Sequence, residues 1–444
     1  MQTSTQLAAR HLAAAALLAF IAGRSAIAAD QTQPGAGNAA AVQLAQRSPL
    51  VQSSVRFLVA QAEHIRDRNL RGATLDILRN PKTCVVHRRG LAMPKAQDAV
   101  IQTLFDQGLI SHADAAAFPS GLRAAIFPPI LQAESDCPQL PQPFESAPGS
   151  AYGGHHSYPG GLSVHEANND LSDINLARQY RAVYGNVGPD GLPQVDTDAD
   201  ADEHRHDYGG RESRLPIDDD VIVAAPIWHD WAKTLVFQWN ADGSEFAEFN
   251  FGGTGTLDAW GAAGDSRTGG HHLMSIAESM SRGFSPLMVL TQASAHSAPT
   301  LGNEFKVVNW LRAAAIIARI DPVKAGYLAT DTTGRLRLPA LGQLGDVNLN
   351  AAGQTNVRVE YTLHNLSDAD FTFSGPAVAS VNVLLAQLAP EFGYDAVDTT
   401  TFNTRLRNPA LAHLSAERLL VLYGGRGLDA VRQELKRLRQ LGVI

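Results

Sequence analysis

The chain reads as a mainly α-helical protein, and three observations carry that reading. Apolar residues recur at three- and four-residue steps in several long segments, as one face of a helix requires. Alanine is abundant while aromatic residues are only 7% of the 444, a balance that leans towards helix. Strand-like alternation appears in one short stretch, Val357 to Leu363. Hydrophobic residues make up 45% of the chain, ample for a buried core, and the length has room for two or three compact units at about 100–200 residues each.

Taken in order, residues 1–28 read as a cleavable signal peptide. Arg10 supplies the positive start, Leu12 to Ala22 the apolar core, and Ala26-Ile27-Ala28 a small-residue cleavage motif. The apolar run is shorter than the roughly 20 residues a membrane span needs. The expected protein is therefore periplasmic or secreted, cleaved after Ala28, with no transmembrane segment left. Residues 29–150 form a helical N-terminal region. Its first part, residues 31 to 47, reads as a mobile leader rich in Gln, Pro, Gly, Asn and Ala. Helical stretches follow at Val51 to Ile65 and Ala96 to Leu109, with an apolar segment at Leu122 to Leu131. Pro138, Pro141, Pro143 and Pro148 mark an extended crossing.

Residues 151–330 carry the chemistry. Gly160-Gly161 opens a helix whose predicted buried face is Leu171, Ile174, Ala177, Tyr180 and Tyr184. Residues 186 to 218 break that pattern and read as a surface insertion. Val221 to Phe237 is apolar on nearly every side, so it belongs at the centre of the fold. Residues 240 to 270 are glycine-rich and read as a long loop over the site. His272 to Ser281 and Phe305 to Ile320 are the remaining central helices, the last ended by Asp321-Pro322. Residues 331–444 form a mixed, mostly helical C-terminal region, with helices at Ala377 to Leu388 and Ser415 to Tyr423. Its last stripe, Val431, Leu435, Leu438 and Leu441, reads as a docking helix with a solvated basic face.

Within that frame, His165, His229-Asp230, His271, His296 and Asp321 form an ordered series of imidazoles and carboxylates. His229-Asp230 lies in Ile-Trp-His-Asp-Trp-Ala-Lys, where ionisable groups in an apolar helix need something to neutralise them. A metal centre would do so, and a bound metal also activates water. Mixed His/Asp ligation suits Mn, Fe, Zn, Ni or Co better than Ca. Taken singly, each histidine reads as an ordinary core or surface residue; the ordered set does not. Lys233 lies four residues after His229, either to stabilise phosphate charge or to pair with a nearby carboxylate.

Gly160-Gly161-Leu-Ser-Val-His165, His229-Asp230-Trp-Ala-Lys233, Gly270-His271-His272, His296 and Asp321 together resemble the HD-domain metal-dependent phosphohydrolase superfamily, over roughly residues 150 to 330. The resemblance implies an HD-type helical bundle and two-metal chemistry. One ion would sit on His165, His229, Asp230 and Asp321, and a second on His271 and His296, with Asp230 bridging. Two such ions about 3.5–4 Å apart would activate water and clamp a phosphoryl oxygen. Pro226 departs from the uninterrupted helix the family has, so the helix is expected to start or bend there. The doubled His271-His272 leaves the ligand ambiguous, and His155 and His156 are candidates for supporting or substrate contacts.

The net charge of −8 argues against a nucleic-acid polymer as partner but not against a small phosphorylated substrate. The acidic run Asp196, Asp198, Asp200, Asp202 lacks the glycine and glutamate of a calcium loop, and His204 and His206 after it read as surface residues. Gly252 to Gly255 has no strand before it and no phosphate-loop signature. Cys84 and Cys137 are either a disulfide or two buried thiols. The leading function is hydrolysis of a small phosphomonoester or phosphodiester. Two others stay open: oxygenation at a di-iron centre on the same scaffold, and a non-catalytic binding protein stabilised by metal.

Overall fold

The computed structural model describes residues 34–116, 118, 121–196, 215–251, 265–299, 303–341 and 358–444. The signal sequence expected at 1–28, the acidic run after Asp196 with His204 and His206, and Gly252 to Gly255 lie outside them. Among the described residues the protein is mainly α. Its strands are two short antiparallel pairs, Asn250–Phe251 with Thr268–Gly269 and Ala329–Thr330 with Leu336–Arg337.

Four helices open the fold: α1 (Asn38–Arg47), α2 (Pro49–Ala62), α3 (Arg68–Arg79) and α4 (Pro94–Asp106). Residues 38–47 are thus helix rather than the expected leader. Their composition is polar, but Asn38 fixes them: its amide donates to Pro141 O and its oxygen accepts from Trp239 N. Ser48 and Asp67 cap α2 and α3 through their side chains, satisfying N–H groups that the first helical turn leaves unpaired.

The centre is built from α5 (Gly161–Tyr180), α6 (Asp219–His229), a single turn α7 (Lys233–Val236), α8 (Gly270–Ser281), α9 (Pro286–Ala293) and α10 (Glu304–Ala318). Helix α5 packs on α2, α6 and α11 (Val359–Ser367), while α8 packs on α6, α9 and α10. A Cβ on Gly160 would strike Val51, and one on Gly161 would overlap His156 O, so the glycine pair lets α2 and the preceding loop close on the start of α5. Every residue from Val221 to His229 is buried. Each Val or Ile so buried contributes about 1.5–3 kcal/mol, which helps offset the ionisable groups placed at the end of this helix.

Three expectations are corrected here. Pro226 does not start α6, because the helix begins at Asp219 and runs three residues past the proline. The buried face of α5 is mixed: Ile174 and Ala177 are inside as expected, but so are His165, Glu166, Asn169, Asp170 and Asp173, whereas Leu171 is 48% exposed and Tyr184, beyond the helix, 63%. The stretch read as a strand is α11, with Glu360, Leu363, His364 and Ser367 buried at helical steps. Those inward positions are mostly polar, so apolar alternation misreports the period.

The chain then runs into α12 (Phe371–Leu388), α13 (Asn408–Leu414) and α14 (Ala416–Gln440). A second apolar cluster joins α12, α13 and α14, with Val431, Leu435 and Leu438 buried but Leu441 exposed. By length and composition Val359–Phe392 is apolar enough to cross a membrane. It is instead two helices joined at Asp368–Asp370, and its polar residues turn into the centre of the protein.

Cys84 and Cys137 form a disulfide that closes a separation of 53 residues. It anchors the segment that meets Glu278 of α8. Glu278 accepts from Val86 N and His87 N, both at 3.0 Å, from His87 Nδ1 at 2.7 Å and from Arg282 Nε at 2.8 Å. Burial would raise the Glu278 carboxyl, but His87 and Arg282 hold it at about 2. The carboxylate is therefore a charged tie between α8 and the 84–88 segment. Constraint of the unfolded chain by a loop of this size is worth about 4 kcal/mol. Replacing both cysteines by serine should lower the unfolding free energy by about that amount in urea titrations. Equal stability of the double variant and the wild type, with and without reductant, would exclude the bond.

Candidate metal centre

The end of α6 sets the geometry. Asp230 leaves the helix at φ −106°, ψ 2°, and the chain re-enters helix at Lys233. Gln292 Nε2 donates to Trp228 O at 2.9 Å, and Ser275 Oγ accepts from Ala232 N at 2.9 Å, so α9 and α8 hold this break. Pro226, lacking an N–H, sits where His229 Nδ1 can reach its carbonyl oxygen at 2.7 Å. A ring nitrogen beside a carbonyl must donate, which turns His229 Nε2 inward.

Four histidines repeat that arrangement of one nitrogen outward and one inward. His229 Nε2 lies 3.4 Å from Asp230 Oδ2 and 3.3 Å from Asp368 Oδ1. His165 Nε2 lies 3.3 and 3.2 Å from the same two oxygens, with its Nδ1 3.1 Å from Asp370 Oδ1. His271 Nε2 is 3.2 Å from Asp230 Oδ1, and its Nδ1 donates to Glu248 at 2.8 Å. His296 is the most exposed, with Nδ1 2.9 Å from Thr268 Oγ1 and Nε2 4.0 Å from Asp368 Oδ2. Carboxylate or carbonyl partners on the outer nitrogen orient an imidazole and raise its basicity as a ligand.

The structure therefore brings His165, His229, Asp230, His271 and His296 together, but not Asp321. Helix α10 ends at Arg319 in the left-handed region, and Asp321 follows in an exposed turn, accepting from Val323 N and Lys324 N at 3.0 and 3.1 Å. Asp368 stands where Asp321 was expected. It belongs to a 3-10 turn after α11, in Leu366-Ser-Asp-Ala-Asp370, a stretch hidden by the strand reading just before it. Glu248, Glu166 and Asn169 were also missed. The last two stand one and four residues after His165 on a helix whose polar face the apolar pattern concealed.

Two donor sets result. His165, His229, Asp230 and Asp368 have one ligating atom each within 4.8 Å of one another, as do Asp230, His271 and His296. Asp230 belongs to both, with Oδ2 towards one set and Oδ1 towards the other. His229 Nε2, His271 Nε2 and Asp230 Oδ1 are buried without a hydrogen-bond partner, while Asp230 Oδ2 pairs with Lys233. Buried imidazole and carboxylate groups converging in this way fit a divalent cation, and the mixture suits a transition metal.

The electrostatics agree. Burial opposes the charged form of Asp230, yet His229 and Lys233 hold its carboxyl well below the usual range. Asp368 is likewise depressed, chiefly by His229 and His165 against burial. Glu166 is pushed the other way, to about 8, by burial, so it stays protonated near His229 Nδ1, 3.6 Å away. Lys233 is buried and pairs with Asp230 Oδ2 while donating to Gly149 O. It thus meets the aspartate across the helix break rather than His229 along a helix face.

The remaining candidates surround this core. His271, not His272, faces Asp230. His272 is fully buried and stacked on His296 at 4.1 Å between ring centroids, with Trp310 edge-on. His155 and His156 lie 4.7 and 5.2 Å from His165, ring to ring. Comparison with protein families, with curated proteins and with solved structures finds no match.

Two aspartates separate the observed cluster from the one expected from sequence. Asp368→Ala should weaken transition-metal binding by at least about 10²-fold, since even an outer partner is worth 10–100-fold. Asp321→Ala should bind as the wild type does. Metal content after dialysis against graded chelator reads both, and the reverse ranking would refute the cluster.

Proposed function

We propose that the protein is an exported, metal-dependent phosphohydrolase with an HD-type site, acting on a phosphomonoester or phosphodiester of a small, possibly nucleotide-like molecule. The observation that carries this reading is Asp230, whose two oxygens face two separate donor sets while a buried lysine pairs with it. In this reading His165, His229, Asp230 and Asp368 hold one ion and Asp230, His271 and His296 the other. Bound there, a pair of ions supplies water activation and neutralises phosphoryl charge.

The chain's own groups do the rest. Asp230 spaces the two sets, and its depressed carboxyl keeps it ionised. The outer partners Pro226 O and Glu248 orient the rings of His229 and His271, so that Nε2 of each faces the site before binding. Lys233 stays cationic, because Asp230 outweighs the burial that would lower it. Its ammonium, held by Gly149 O, is placed to stabilise negative charge growing on a phosphoryl group next to Asp230. The disulfide supports the exported location, since such bonds persist in oxidising compartments.

The test uses the full chain loaded separately with Mn, Fe, Co, Ni or Zn, against a panel of phosphomonoesters, phosphodiesters and nucleotides. Asp230→Ala should lose bound metal and hydrolysis together. Lys233→Met preserves the proposed ligands and much of the volume; it should keep metal near the wild-type level while turnover drops by about 10²–10³. A wild type that releases no phosphate from the panel but consumes oxygen when iron-loaded would replace hydrolysis with oxygenation. Full activity in Asp230→Ala would defeat the reading at its centre.

A further inference from the structure

The outer side of His165 differs from that of its fellow histidines. Nδ1 of His229 and of His271 makes a hydrogen bond that orients the ring. His165 Nδ1 and Asp370 Oδ1 are 3.1 Å apart, yet both are buried atoms without a hydrogen-bond partner. Around them stand further orphans: His155 Nδ1, His156 Nδ1, Tyr158 OH and Glu417 Oε1. Buried polar atoms left unpaired cost about 1–3 kcal/mol each, so six at one place call for an occupant.

We propose that His155, His156, His165 and Asp370 form an additional divalent-cation site, joined to the main cluster through His165. One ligating atom from each of the four lies within 4.8 Å of the others. Three imidazoles and one carboxylate select a transition metal such as Zn, Co, Ni or Cu over Mg or Ca. Glu417 Oε1 lies 3.5 Å from His156 Nε2, and Asp370 Oδ2 3.8 Å from it, so two carboxylates border that nitrogen. His156 is held at φ 50°, and its carbonyl accepts from Gly149 N at 2.9 Å. A bulky residue in the left-handed region costs about 1–3 kcal/mol and persists where surrounding structure fixes it, often at a ligand site. The cluster lies near the surface: His155 is half-buried and Phe371, 6.3 Å from it ring to ring, is 51% exposed.

His165 then ligates through both nitrogens. With an ion on Nε2 already, binding at Nδ1 removes the remaining N–H proton, which passes to solvent as the second nitrogen–metal bond forms. The bridge rests on the main cluster being a metal centre; the site on Asp370, His155 and His156 stands on its own donors.

The experiment is Co2+ titration of the chelator-stripped full chain, followed by visible absorption and by bound metal after gel filtration. His156→Asn tolerates the left-handed backbone, and Asp370→Asn changes one oxygen at a partly exposed position. Each should bind about one Co2+ per chain fewer than the wild type, with the helical circular dichroism unchanged. His296→Ala should retain that ion and its absorption band, which should vanish when Asp370→Asn is added. Asp370→Asn binding as many Co2+ ions as the wild type overturns the proposal, whether or not His156→Asn folds. Asp230→Ala with undiminished Co2+ would instead count against the main cluster, so the two failures are distinguishable.

Discussion

Two carboxylates buried among apolar helices, Asp230 and Asp368, are the constraint on which the rest of the molecule depends. An ionised carboxylate taken out of water costs several kcal/mol unless charge and hydrogen bonds replace its hydration. One lysine and four imidazoles converge on this pair. Lys233 supplies a single positive charge, which leaves the site short of cation. Burial opposes a charge on His229 and His271, yet Asp230 and Glu248 raise them to about 10 and about 9. Their inward Nε2 atoms therefore meet the carboxylates through protons that a metal ion, when bound, replaces.

The helices answer to that centre from outside. Helix α8 must hold His271 against Asp230, and it is fixed at its far end by Glu278, which gathers two backbone N–H groups, His87 and Arg282. Burial keeps His87 below its ordinary pKa, so it serves as a neutral donor there, with Arg282 as the charged partner. The disulfide Cys84–Cys137 pins the segment bearing those N–H groups, and Arg282 also reaches Cys84 O at 2.7 Å. The disulfide thus helps fix the helix that carries His271. Helix α5 works in the same way from the other side. Its inward face carries His165, Glu166, Asn169 and Asp173, the last 3.1 Å from His364, whose ring lies 4.9 Å from His229.

Much of the centre was legible because chemistry and context disagreed in the sequence. His229, Asp230 and Lys233 stand out in an otherwise apolar run, and the glycine pair before His165 marks a close approach that the structure shows at Val51 and His156. What failed did so wherever the inward face is polar. Periodicity reads apolar residues as buried, so on α5 it chose Leu171, which faces solvent, over Asn169 and Asp170. On α11 the same habit turned Glu360, Tyr361 and Leu363 into a strand and hid Asp368 just beyond it. Asp321 was favoured for its place at the end of an apolar helix, but a residue past a left-handed helix terminus points wherever the next turn sends it. Tertiary convergence decides between two such aspartates, and sequence order does not record it.

The most direct measurement is anomalous X-ray scattering from crystals of the full chain as purified, with data collected on both sides of the Mn, Fe, Co, Ni and Zn absorption edges. Peaks should lie between His165, His229, Asp230 and Asp368 and between Asp230, His271 and His296, at metal–ligand distances of about 2.0–2.2 Å. Crystals soaked in each of these metals in turn that still show no anomalous peak beside Asp230, with Lys233 and ordered water filling the space, would leave the buried carboxylates without their cation. The metal centre, and the hydrolase reading built on it, would then have to be abandoned.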